Sequence, residues 1–331
     1  MKILLIALHY HDYTANIVQE LRALGHEVRV HDIMPRDLLM KTIRIISPGM
    51  WQRRLDVHHA RILAAEAGSP ADMVLFIQAH QMSAANMAGF REAFADARFV
   101  LYNWDSIDNH DYRPHLDAFD EVFTFDPDDA RAYDLKYLPL FCSREFQGLP
   151  RREQDHKQVY FVGNIVNPAR YHALAAFRDY CGQEGIPLQA YMACSPPTRL
   201  KFLRLGISTR GLPSGSIGRA QFLDMIETSV AVFDFANHHQ SGYTMRVFEN
   251  LCAGKKIITN NPRVAQEIFY SPDRFHVFDN LDFTGVKEFI DMPLADPEAQ
   301  FPEYRIQAFV RHLVDGTSHP LPRDEPKDVV Q

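Results

Sequence analysis

The stretch that most narrows the folds open to this chain is residues 230–262, VAVFDFANHHQSGYTMRVFENLCAGKKIITNNP. Residues 230–235 are a short, apolar, β-rich run, and the polar residues 236–243 break it. Thr244 stands where its hydroxyl can accept an amide of a first helical turn. Met245, Phe248, Leu251 and Cys252 then recur at helical spacing, and Gly254 follows as a C′ glycine. Residues 256–259 form the next buried strand. A helix that starts just past a strand of a parallel sheet points amides and the positive end of its dipole at one spot, which suits an anion. Arg246 lies in that helix's first turn, with Glu249 one turn on along the same side. Either the two form an intrahelical pair, or they face a ligand, the guanidinium on phosphate oxygens and the carboxylate on ribose hydroxyls.

Elsewhere the chain repeats the same alternation. Strands are expected over 2–8, 27–31, 72–78, 98–104, 121–125 and 136–140. Helices are expected over 14–24 and 83–95, and over 37–67 with an interruption near Ser47-Pro48-Gly49. The polar run 146–157, FQGLPRREQDHK, marks a break. Beyond it the strands are 158–162, 188–192, 207–209 and 275–278, and the helices 168–181, 197–205, 219–228 and 283–290. Strands that alternate with helices imply parallel pairing with right-handed crossovers. The fold class is therefore α/β: two Rossmann-like domains, 1–148 and 149–301, with mostly parallel sheets. Ligands are expected at the carboxyl ends of the strands, in a cleft between them.

At 331 residues the length suits two such domains. A net charge of −7 gives no overall attraction for nucleic acid. No run approaches a membrane span, and the N-terminal residues read as a strand rather than a signal peptide. Cys142, Cys181, Cys194 and Cys252 have no metal-ligand spacing and suit a reducing cytoplasm.

The opening stretch resembles the donor-binding segment of GT-B glycosyltransferases, most of all the bacterial polysaccharide and spore-coat type. The matching residues are Gly242-Tyr243-Thr244, Arg246, Glu249, Ala253-Gly254 and the strand 257–259. The resemblance implies that Glu249 contacts the ribose of a nucleotide-sugar donor. The Gly163-Asn164 turn and Arg170 resemble the position that reaches the donor phosphates. The resemblance also implies that a helix within 302–320 packs back on the first domain. Many retaining members carry a second Glu where Ser241 stands, so the stereochemical outcome stays open. The implied activity is metal-independent, cofactor-free sugar transfer to a glycan or lipid-linked acceptor, in bacterial surface polysaccharide or glycoconjugate synthesis. A nucleotide-sugar epimerase of the same plan, or a non-catalytic sugar-nucleotide-binding subunit, is the alternative.

Other residues carry two readings each. His238, His239 and Gln240 read as donor contacts or as plain loop; they form no metal set by themselves. Ser241, Gly242, Tyr243 and Thr244 offer amides and hydroxyls to a phosphate. Asp126-Pro127-Asp128 mimics a metal-binding Asp-x-Asp, but a helix cap with proline at the first helical position explains it better. Asp105, past the fourth strand, reads as an acid/base carboxylate or as a cap. His9, Tyr10 and His11, past the first strand, read as acceptor-side groups or as loop residues, with histidine suited to proton transfer near neutrality. Gln78 and His80, past the third, share that ambiguity. The basic and apolar stretch 36–54 reads as an amphipathic helix or as a peripheral contact with an anionic membrane.

Overall fold

A computed structural model of the chain describes every residue except 10–11, 36–42, 44–46, 151, 153–156, 237–240 and 324–331. The chain divides into two compact units. The first comprises Met1–Ser143, His238–Tyr243 and Glu303–Leu321, and the second Arg144–Asn237, Thr244–Pro302 and Pro322–Gln331.

In the first unit the strands are β1 (Lys2–Ala7), β2 (Glu27–Asp32), β3 (Met73–Ile77), β4 (Arg98–Asn103), β5 (Glu121–Thr124) and β6 (Lys136–Tyr137). They form one sheet in the order β2-β1-β3-β4-β5-β6, and every described pairing is parallel. MVLFI of β3 is buried at every position, and KILLIA of β1 at all but the first. Such continuous apolar runs are what a parallel sheet covered on both faces requires. The helices are α1 (Tyr13–Ala23), α2 (Pro48–Glu66), α3 (Ala84–Ala93) and α4 (Pro127–Tyr133). Ser47 caps α2 and Pro48 takes its first position, so a helix begins at Ser47-Pro48-Gly49; most of the expected 37–67 helix before it lies outside the described residues. The fixed φ of proline and its missing N–H favour that place. Ser83 caps α3, and Asp126 caps α4 by accepting the amides of Asp128 and Asp129.

The second unit holds β7 (Val159–Asn164), β8 (Leu188–Ala193), β9 (Ala231–Asp234), β10 (Lys256–Thr259) and β11 (Phe275–Val277), in the parallel order β11-β10-β9-β7-β8. Its helices are α5 (Pro168–Glu184), α6 (Pro196–Arg204), α7 (Arg219–Thr228), α8 (Met245–Cys252) and α9 (Val286–Asp291). Residues 207–209 are no strand. The Ile207 amide folds back on the Phe202 carbonyl and Leu212 N–H bonds Thr209, which makes the segment a turn. The last helix of this unit starts at Val286, later than its apolar pattern suggests, because Gly285 at φ 84° sets its entry. Phe161, Phe177, Phe233, Phe278 and Phe283 lie at the centre of the core, with the Phe177 and Phe233 rings stacked 4.1 Å apart.

The helix α10 (Ile306–Asp315) belongs to the first unit. Cys142 and the chain before α10 exchange backbone bonds, Cys142 N–H to Tyr304 at 2.8 Å and Ile306 N–H to Cys142 at 2.9 Å. Phe309 packs on Tyr102 and Phe141, with centroids at 4.8 and 4.5 Å. Arg98 caps the far end through the carbonyls of Leu313 and Val314, where cationic donors suit the last carbonyls of a helix. Phe309→Ala is expected to cost about 3–5 kcal/mol, the usual range for emptying a buried aromatic site. Urea unfolding measures it; a cost below about 1 kcal/mol, the level of a surface change, would mean that α10 is not a working part of this core.

Candidate functional site

In each sheet the strand order reverses at one point. In the second unit β8 lies on one side of β7, while β9, β10 and β11 lie on the other. Loops leave the carboxyl ends in opposite directions there, which opens a crevice suited to ligands. At that point Asp234 ends β9, Asn164 ends β7 and Thr259 ends β10. Asp234 is 2% exposed, so its charge needs partners. Arg246 supplies one, at 2.9 Å, and the hydroxyls of Thr259 and Thr244 lie at 3.4 and 3.5 Å. The other end of the Arg246 fork bonds the Val162 carbonyl at 2.7 Å, and its plane lies over Phe161. Burial opposes the Arg246 charge, but the Asp234 carboxylate outweighs it and holds the pKa above its ordinary value.

Gly163 makes room for this arrangement: a Cβ there would lie 2.9 Å from the Phe161 ring and 3.3 Å from the Arg246 guanidinium. Thr244 occupies the N-cap position of α8, yet its hydroxyl makes no cap bond and turns to Asp234 instead. Proximity to a buried carboxylate overrides the local capping preference. Arg170, in the first turn of α5, bonds the carbonyls of Asn164 and Phe235 at 3.2 and 2.8 Å. Burial, with Arg246 nearby, lowers its pKa. Arg170 and Arg246 therefore meet over one carboxylate, and Arg246 holds it. Glu249 lies in α8, 4% exposed. Next to it Asn250 accepts the Tyr160 hydroxyl at 2.9 Å and donates to the Arg246 carbonyl, which locks α8 to β7.

Ser241, Gly242 and Tyr243 fall with the first unit. The amides of Ser241 and Gly242 already meet an anion there, and it is the protein's own. Asp126 accepts the Ser241 amide at 2.9 Å, the Gly242 amide at 3.3 Å and the Ser241 hydroxyl. Gly242 is required by space, because a Cβ would sit 2.8 Å from the Phe125 carbonyl oxygen. His238, His239 and Gln240 lie outside the described residues, as do Tyr10 and His11.

The first sheet reverses between β1 and β3. His9, exposed, follows β1, and Gln78 follows β3. Gln78 adopts φ 63°, left-handed for a residue with a side chain, and is 2% exposed. Its amide nitrogen bonds the Asp105 carboxylate at 2.6 Å. Strain of this kind persists where surroundings over-determine it, often at functional positions. His80 stacks flat on His110 at 4.0 Å, and His110 lies 3.9 Å from Asp105. Burial, then the neighbouring His110 and His115, pushes His80 down to about 4. Burial also lowers His115. Beside them the Asn103 side-chain nitrogen is buried without a partner among the described residues. Sequence reading misses Asp234 and His110. An acid ending the apolar run VAVFD was the available signal for the first; His110 gave none, since only the fold stacks it on His80.

No known family model matches the chain, and no curated protein is similar to it in sequence. Solved structures do match over nearly the full length. One is an α-glucosyltransferase bound to UDP and a 13-mer DNA, at 11% identity and a TM-score of 0.59, covering 96% of both chains. Another is a putative UDP-N-acetylglucosamine 2-epimerase from Listeria monocytogenes, at 13% identity and 0.57, covering 99% of this chain and 100% of that one. A third is the lipopolysaccharide outer core galactosyltransferase WaaB in its apo form, at 14% identity and 0.52, covering 95% of each. The chain has the GT-B fold, two α/β units built on parallel sheets, and most of the structures it resembles are glycosyltransferases of that fold.

The histidine stack carries a pH dependence. His80, ordinarily near 6.5, is neutral in the folded chain until about pH 4, whereas the unfolded chain protonates it below its ordinary value. The unfolded state thus binds more protons in that window, and stability should fall as pH drops from about 6.5 to about 4. Urea unfolding at a series of pH values should show the decline, and His80→Gln should flatten it. An unchanged slope in the variant would show that the imidazole is not held neutral.

Proposed function

We propose that the chain is a glycosyltransferase whose second unit holds a nucleotide-sugar donor at the β7–β9 reversal, while the first supplies the acceptor-side groups. The observation that carries this reading is the arrangement around Asp234. Arg246 is matched to that carboxylate, whereas Arg170 is matched only to carbonyls among the described residues. Arg170 and the start of α8 are then the positive groups left for a diphosphate. Asn164 and Gly163 lie at the end of the strand beside them. Glu249, one turn into α8, is assigned to the ribose hydroxyls.

In the transfer, the bond from the anomeric carbon to the donor phosphate oxygen breaks. A bond from that carbon to an acceptor oxygen forms, and the acceptor proton passes to a base. Arg170 and the α8 amides would stabilise the phosphate charge as it develops. Asp105, oriented by Gln78 at 2.6 Å, is the proposed base, with His9 as the other proton acceptor described on the same edge. The acceptor is read as a glycan or a lipid-linked acceptor, and the setting as bacterial surface polysaccharide or glycoconjugate synthesis. No described helix is long and apolar enough to cross a membrane.

A thermal-shift panel of nucleoside mono- and diphosphates tests the donor site. One diphosphate is expected to raise the melting temperature. Arg170→Ala should weaken its binding about 10- to 100-fold, the worth of a charge-assisted bond, and Glu249→Gln should weaken it as well. Arg246→Ala is a poor probe, because it strands Asp234 in the core. If no nucleotide shifts the protein, or if both variants bind as well as the parent, the donor site is misplaced. Product formed from the donor alone, with no acceptor, would favour epimerisation over transfer.

A further inference from the structure

We propose that the outward face of α6 in the second unit docks on an anionic lipid bilayer. Residues 185–223 contain no Asp or Glu, but carry Arg199, Lys201, Arg204, Arg210 and Arg219. The chain as a whole carries −7. Two of these cations are used internally: Arg199 bonds the carbonyls of Cys194 and Leu212, and Arg219 pairs with Glu145. Lys201, Arg204 and Arg210 are exposed and join no ion pair among the described residues.

The helix is held rigidly. Ser195 caps it, Pro196 takes its first position, and Gly206 at φ 71° follows its end. Phe202 is its anchor, fully buried, with its ring edge-on to Tyr171. At 100° per residue, Leu200 and Arg204 stand opposite Phe202, with Leu203 and Lys201 about 100° from it on either side. Leu200 is 53% exposed, Leu203 73% and, at the C-cap, Leu205 55%. A single exposed leucine is ordinary. Leu203 and Leu200 lie next to each other around the helix, Arg204 and Lys201 follow them without counter-charges among the described residues, and Leu205 stands at the C-cap, so the outward face is part apolar and part basic.

That chemistry fits the boundary of a bilayer, where leucines enter the acyl edge and cations meet lipid phosphates. The acidic remainder of the molecule is repelled by such a surface, so charge alone turns this face toward it. A protein partner would need an acidic, apolar face of matching concavity, and nothing here shapes one. The inference does not rest on the sugar-transfer reading or on residues 36–54.

The test is sedimentation of the full chain with vesicles of phosphatidylcholine alone, and of phosphatidylcholine mixed with phosphatidylglycerol. The chain is expected to pellet with the mixed vesicles and much less with the neutral ones. Raising the salt to about 0.5 M should release it, since screening then acts within a few ångströms. Leu200→Ser/Leu203→Ser and Lys201→Glu/Arg204→Glu should each reduce partitioning by about tenfold or more. Thermal melts of both variants, matched to the parent, would show that the fold is retained; these side chains are exposed, so it should be. Absence of binding to the mixed vesicles overturns the proposal, and so does binding that both folded variants retain.

Discussion

A carboxylate at the end of a buried parallel strand is the constraint around which the second unit is arranged. Asp234 is almost fully enclosed, and a lone charge there would cost several kcal/mol. Arg246 neutralises it, and in doing so ties three elements together: β9 through Asp234, β7 through the Val162 carbonyl, and α8 through its own backbone. The pair demands space, and Gly163 supplies it by lacking a Cβ. It also draws the Thr244 hydroxyl away from capping α8. The pair thus organises the crevice. Arg170, bonded only to carbonyls among the described residues, is the group we propose for a ligand's charge.

Asp126 plays a comparable part in the first unit. It caps α4 and also receives the amides of Ser241 and Gly242. One carboxylate thereby fixes a helix start and a turn far away in sequence. The turn has the amide-rich chemistry expected of a phosphate site, but the Ser241 and Gly242 amides are already taken by Asp126. Next to that sheet's reversal, the strained backbone of Gln78 aims its side chain at Asp105. Both reversals in strand order therefore carry polar groups at their carboxyl ends, as expected where ligands approach open parallel sheets.

Much of this was legible in the residues. Strands buried on both faces are continuous apolar runs, so β1, β3, β4 and β9 stand out within a residue or two. Helix starts were legible where a cap is local: Ser83, Asn167 and Asp126 each bond an amide two or three residues on. The misreadings occur where local chemistry is ambiguous. Segment 207–209 is too short for its two β-branched residues, Ile207 and Thr209, to decide, and Gly285 delays the start of α9. Of the candidate site, the cluster of Gly163, Asn164, Arg170, Thr244 and Arg246 could be named; Asp234, marked only by its place at the end of VAVFD, was passed over, and His110 carried no mark at all.

From the amino acids alone came the α/β alternation, the two halves and the helix start after β9, because these depend on periodicities of two and 3.6 residues and on caps a few residues apart. Tertiary structure alone decided which charge meets which. Asp234 lies twelve residues from Arg246, and Asp126 more than a hundred from Ser241. No local pattern encodes such pairings, because burial sets the energy of each charge, and burial exists only once the strands have been laid side by side.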